Sequence, residues 1–291
     1  MSGAPQPSRA RGYLLGASGV LILSSDALLI RLVDAPVLVV MSWRGALMCA
    51  AFLCLEALRG GPRMRRVARP DPAALLAALL YAGSGFAFVT AIVRLPVAQA
   101  LVLVATVPLS SAVLGRLFAG DPLTPLTLLT GLACTGGIVL ALTPAGLPTD
   151  PVGIAAGLAV SVTFGAYLTV LRSGRVQRPN LVLADSSLLA ACIAAPLAGD
   201  LRLEGVSLLA ALALGLLVMP LSQALLSSAP RHITAGEVGM LLTLETVFGS
   251  LLAWWLLGET IDGRAVLGGS IVVSALALRA GLAVRGTRAR A

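Results

Sequence analysis

Residues 94–122 read RLPVAQALVLVATVPLSSAVLGRLFAGDP, and residues 231–260 read RHITAGEVGMLLTLETVFGSLLAWWLLGET. Arg94 matches Arg231, Ala98 matches Ala235 and Thr106 matches Thr243. After a slip of one residue, Gly120-Asp121 matches Gly258-Glu259 and Gly131 matches Gly269. Each copy is apolar over a length that spans a bilayer. Two hydrophobic halves related by a weak internal repeat are a signature of secondary transporters.

Composition points the same way. The chain is 58% hydrophobic and 12% charged, with a mean hydropathy of +0.96. A soluble domain carries about 25% charged residues, so the class is polytopic membrane protein. The net charge of +8 serves topology, because arginines fall at span ends and aromatic residues are few, which excludes nucleic-acid binding. All 21 basic residues are arginine, which we read as composition bias. Cys49, Cys54, Cys134 and Cys192 lie in apolar runs without a CxxC pair and are expected to be small buried hydrophobes.

About twenty apolar residues cross the hydrocarbon core. That rule predicts ten spans, at about 12–32, 36–58, 73–93, 96–118, 124–143, 151–171, 181–198, 207–229, 233–257 and 263–283. The first is expected to be a retained helix, not a signal peptide. Prolines such as Pro36, Pro96, Pro122, Pro179 and Pro230 stand between spans. With the N-terminus cytoplasmic, sixteen arginines fall in inside segments and four in outside ones. This positive-inside bias predicts both termini in the cytoplasm. Five spans precede the Pro144–Pro151 joint and five follow, so the halves, 1–146 and 147–291, run in opposite directions.

The residues now suffice for a resemblance. The second half carries Ala235-Gly236-Glu237, Thr243-Leu244-Glu245, Leu256-Leu257-Gly258-Glu259 and Gly268-Gly269. The first carries Pro96-Val97-Ala98, Pro108, Gly120-Asp121 and Gly131. This pattern resembles the EamA-like branch of the drug/metabolite transporter superfamily. The first copy departs from it, with Asp121 where the family has Glu. The resemblance implies an all-α inner-membrane transporter of ten helices in two inverted repeats. It also implies a cavity faced by helices one, three, four, six, eight and nine, and export of a small polar metabolite such as an amino acid. No cofactor or metal is expected. The expected partners are a small-molecule cargo and the lipid bilayer, and the chain is expected to be a monomer or homodimer.

Charge inside a membrane is costly and marks function by default. Asp26 and Arg44 lie roughly 9 and 12 Å below the outer ends of spans one and two, at matching depth. They read either as a structural ion pair or as an anion-holding arginine with a switchable partner. Trp43 beside Arg44 reads as lining or lipid-facing. Glu245 lies near mid-bilayer, opposite Pro108 in the repeat, and reads as a proton-coupling site or as a neutral hydrogen-bonding group. Glu237 reads as an interfacial partner of Arg231 and His232, and Glu259 and Asp121 as turn elements. Glu56 reads as satisfied near Arg59, and Asp185 has no assigned role. Candidate cavity-lining residues are Tyr81, Ser84, Thr90, Gln99, Tyr167, Gln223 and Thr243.

Enzyme readings fail on inventory. One histidine cannot build a multi-His metal site, and no Walker A motif is present. Gly16-Ala17-Ser18-Gly19 matches an intramembrane protease pattern only in four letters. The rival to transport is a membrane scaffold or assembly subunit. The two diverge on whether Asp26, Arg44 and Glu245 share a cavity.

Overall fold

Proline and glycine set many of the helix ends. Asp71 accepts a hydrogen bond from the Ala73 amide, and Pro72 follows at the first helical position, where its missing N–H costs nothing. Pro179 opens another helix in the same way. Gly258 takes a left-handed φ of 65° after a long helix, the backbone state that favours glycine.

The computed structural model describes residues 9–58, 71–119, 125–142, 150–172, 176, 178–228, 235–259 and 263–288. The helices are α1 (Arg9–Leu23), α2 (Asp26–Val33), α3 (Val37–Leu58), α4 (Pro72–Arg94), α5 (Val97–Val104), α6 (Val107–Ala119) and α7 (Pro125–Leu142). Then come α8 (Pro151–Arg172), α9 (Pro179–Ala194), α10 (Gly205–Leu212), α11 (Met219–Ser228), α12 (Ala235–Leu257) and α13 (Gly263–Arg288). Among the described residues, seven rods are long and apolar enough to cross a membrane, and shorter apolar stretches lie in α7, α12 and α13. The protein is therefore an all-α, multi-pass membrane protein.

Three predicted spans are jointed. The first breaks at Ser24–Ser25 into α1 and α2, and the fourth breaks at Ala105–Thr106 into α5 and α6. At these joints the hydroxyls of Ser24, Ser25 and Thr106 donate to the carbonyls of Val20, Ile22 and Leu103, which also accept the amides of the same three residues, so no hydroxyl is left unpaired inside the bilayer. The eighth span carries a π-helical turn, Ala213–Val218, between α10 and α11. Pro220 follows it, and its missing N–H accounts for the disturbed ladder.

The two halves are inverted repeats. Along α3 and α9, Gly45 meets Ser187 and Ala191 while Glu56 meets Asn180, so these counterparts run antiparallel. Val97 meets Glu259 and Leu101 meets Thr246, so α5 and α12 do the same. Packing is unchanged when the halves are exchanged. The α4–α8 contact has its equivalent in α10 and α11 against α2 and α1, and α5–α6 against α8 has its equivalent in α12 against α1 and α2.

Small residues permit this closeness, as expected where lipid supplies no hydrophobic drive between helices. On α8, Gly153 faces Leu95, Gly157 faces Leu103, and Gly165 faces Ser111. Gly137 of α7 lies against Gly268 of α13. Outward faces carry large exposed apolar side chains, including Leu14, Leu117, Phe118, Trp254 and Trp255. Cys54 and Cys192 belong to this outer surface. The expectation of four buried cysteines holds only for Cys49 and Cys134, because an apolar run looks the same whether it faces lipid or core.

Candidate functional site

The joint at Ser24–Ser25 places Asp26 in the first turn of α2, where the helix dipole favours a carboxylate. Arg44, from the middle of α3, donates through Nη2 to Asp26 Oδ2 at 3.0 Å. Both residues are buried, at 2% and 7% exposure. The same Nη2 reaches Met219 Sδ at 3.4 Å, and the guanidinium lies 5.8 Å from the centre of the Phe88 ring. Two buried atoms of this pair, Asp26 Oδ1 and Arg44 Nη1, have no hydrogen-bond partner among the described residues.

The pair lines a cavity of about 320 Å³. Glu245 of α12 lines it too, as do Tyr81 and Ser84 of α4, Tyr167 of α8 and Gln223 of α11. Glu245 and the Tyr81 hydroxyl lie within electrostatic range of both Asp26 and Arg44. Seven of the ten candidate residues therefore share one space. Two do not: Gln99 is buried away from the lining, and the Thr90 hydroxyl donates to Phe86 O within its own helix, as membrane threonines commonly do. The Thr243 side chain lies outside the described residues, as do those of Pro108 and Glu237; Asp121, Arg231 and His232 lie outside them altogether. Helices two and seven of the ten-rod count also contribute, through Met41, Arg44, Leu183 and Ser187. The cavity wall is thus wider than the six-helix expectation, because α3 and α9 cross on the pseudo-twofold axis.

The cavity reaches Leu171, Pro179 and Asn180, at the end where α8 finishes and α9 starts. The other end is sealed. Ile30, Val33, Ala91, Ile92, Leu95 and Val97 are each no more than 1% exposed. A polar latch lies over them. Arg31 donates to the carbonyls of Val93 and Leu95, at the end of α4 just before Pro96, and pairs with Glu259 at 3.3 Å. The second Glu259 oxygen accepts the amide of Val97, at the start of α5. One ion pair thus caps both helix ends at the α4–α5 corner. Beside it, Arg94 donates to Asp150 at 2.8 Å. That guanidinium holds the Asp150 carboxyl below its ordinary range, and the carboxylate also caps α8 by accepting the amides of Val152 and Gly153. The ion-pair contribution is fully present above the ordinary value of about 4 and is lost as pH falls through the lowered one.

The latch corrects one expectation. Glu259 is an ion-pair partner and helix cap, where the Gly-Glu pair suggested a turn element. At the opposite end of the molecule Glu56 accepts from Asn180 Nδ2 at 3.0 Å, across α3 and α9, while Arg59, its expected neighbour, lies outside the described residues. Trp43 packs partly buried and donates to Leu201 O, so it anchors the α3 end. Arg31 was legible only as a topology charge, although its repeat counterpart, Arg172, holds the same place in the second half.

A part-exposed ion pair is worth about 1 kcal/mol, or about a fivefold shift between closed and open forms. Arg31→Ala should therefore raise maleimide labelling of an Ala91→Cys reporter by about that factor in a background free of native cysteines. Unchanged labelling would show that apolar packing alone seals this end.

Comparison with known proteins agrees with this architecture. A solved crystal structure matches over 95% of this chain and 99% of its own, with a TM-score of 0.68 at 21% identity, a likeness of fold. No curated protein matches. The EamA-like transporter family model matches residues 10–143 and 151–280, one match in each half. The chain belongs to the EamA-like transporter family, within the drug/metabolite transporter superfamily.

Proposed function

We propose that this protein is a secondary transporter, not an enzyme, that exports a small polar metabolite, an amino acid or a related compound, by alternating access. The observation that carries the reading is convergence. Asp26, Arg44 and Glu245 come from three different rods and line one cavity that is closed at one end by the Arg31–Glu259 latch. A scaffold has no need to place three costly ionisable groups around a common space. The arginine distribution supports placing the open end in the cytoplasm, with both termini there, in a bacterial-type inner membrane.

Glu245 is the proton carrier in this reading. It lines the cavity and makes no ion pair or hydrogen bond among the described residues. Untargeted comparison of metabolites in cells with and without the chain identifies the cargo, and the sign of the difference gives the direction. With that cargo in reconstituted vesicles, an imposed pH gradient should accelerate flux through the wild type. Glu245→Gln should bring flux back to the rate seen without a gradient. Gradient-driven flux that survives the substitution overturns the coupling role.

A further inference from the structure

The cavity is chemically divided, and the division follows the repeat. Aligning Gly12 with Gly153, Gly16 with Gly157 and Arg31 with Arg172 places Asp26 opposite Tyr167 and Leu23 opposite Phe164. All four of the latter residues line the cavity. The first half therefore supplies a buried charge at the position where the second supplies a ring.

The rings form one wall. Tyr81 and Tyr167 meet edge to face with centroids 5.0 Å apart, and Phe164 stacks on Tyr167 at 5.6 Å. The α4 helix acts as a ruler between this wall and the charged pair. Phe88 marks the level of Arg44, and Tyr81 stands seven residues earlier, about 10 Å along the axis at 1.5 Å per residue. Gly85 lies between them and lines the cavity without a side chain, which leaves the strip open.

At the charged end, among the described residues, Asp26 Oδ1 is a buried acceptor without a donor, and Arg44 Nη1 a buried donor without an acceptor. A lone cation satisfies only the first, and a lone anion only the second. A dipolar head satisfies both, and leaving either unmet carries the penalty of a buried, unpaired charged group. The head group is thus specified at one end, and three aromatic rings, two of them bearing a hydroxyl, form the surface at the other.

We propose that the cargo is a zwitterion with a large flat or aromatic side chain, its carboxylate on Arg44, its ammonium on Asp26, and its side chain on the rings of Tyr81, Phe164 and Tyr167. This rests on the transport reading and narrows its cargo. When the ammonium also approaches Glu245, that carboxylate holds either the ammonium or a proton, which links cargo release to proton uptake.

The test is competition in reconstituted vesicles loaded with labelled phenylalanine. The competitors are phenylalanine, serine, phenethylamine, which lacks the carboxylate, and phenylpropionate, which lacks the ammonium. Phenylalanine should outcompete serine by about tenfold or more from burial of the ring. It should outcompete both single-charge analogues by at least about tenfold, because each leaves a buried polar atom unmet. Phe164→Ala and Tyr81→Ala should collapse the phenylalanine-to-serine ratio toward one. Thermal stabilisation of the detergent-solubilised variants by phenylalanine, against the same measurement on wild type, separates weak binding from poor folding. Equal competition by serine overturns the ring assignment, and equal competition by phenethylamine overturns the head-group assignment. If nothing in the panel competes or stabilises, the inference fails. The metabolite comparison then decides the transport reading separately.

Discussion

Arg44→Met should reduce flux to the background of empty vesicles and lower the melting temperature markedly. Arg44 and Asp26 sit 3.0 Å apart at 7% and 2% exposure. Removing one member of such a pair strands the other in a medium that cannot solvate it, at a cost of about 3–5 kcal/mol. The measurement that isolates the cause is the double variant. Asp26→Leu with Arg44→Met removes both charges and should restore most of the melting temperature, since a buried pair replaced by apolar groups is often neutral or stabilising. Flux should stay at background, because the orphan donor and acceptor have gone together. A double variant that regains flux would show that the pair is structural and that cargo is held elsewhere. An Arg44→Met protein that transports like wild type would remove this pair from the mechanism.

Gly45→Leu should prevent accumulation of folded protein, and Gly45→Ala should lower its melting temperature. Even a single Cβ at Gly45 would lie 2.5 Å from Ser187 O and 2.8 Å from Ala191 N. Both are backbone atoms of α9, so no side-chain rotation relieves the clash, and the two axial helices must separate. Overpacking of this kind costs about 1–3 kcal/mol for modest insertions, and leucine adds three carbons beyond the Cβ. Gly83→Ala is the matched control, because a Cβ there meets nothing within 4 Å. It should be neutral or slightly stabilising through helix propensity. Fluorescence-detected gel filtration reports the folded fraction, and equal behaviour of Gly45→Ala and Gly83→Ala would refute the close α3–α9 contact.

The fold was largely legible because bilayer length, proline placement and arginine asymmetry act over whole spans. Asp26 and Arg44 were legible as a pair because depth in the membrane is a one-dimensional coordinate that residue counting approximates well. The Glu259–Arg31 contact was not, since the two residues belong to opposite halves and nothing local marks them. Azimuth around a helix was the other blind spot. Thr90 and Gln99 stand at suitable depths but face away from the lining, and in a span that is apolar all round no periodicity reveals which way a polar residue points. The joints at Ser24–Ser25 and Ala105–Thr106 were hidden for a related reason: two short helices and one long one share the same hydropathy. Pro108 did hint at the second, and it falls within the first two residues of α6.

Those joints have a consequence for how the duplicated halves divide their labour. Rods one and four are each broken near mid-membrane, whereas their counterparts α8 and α12 run unbroken through 22 and 23 residues. A continuous helix transmits displacement from end to end; a jointed one sets apart the eight residues at its latch end, α2 or α5, as a separate helix. Inverted duplication began with two equivalent bundles, but rods one and four of the first half are now articulated where α8 and α12 are struts, and the second half is interrupted instead in its eighth rod, at the π-helical turn. The first half also carries Asp26 on the first residue beyond the joint of rod one, so its buried charge sits where that rod is articulated, while the equivalent position of the unbroken α8 holds Tyr167.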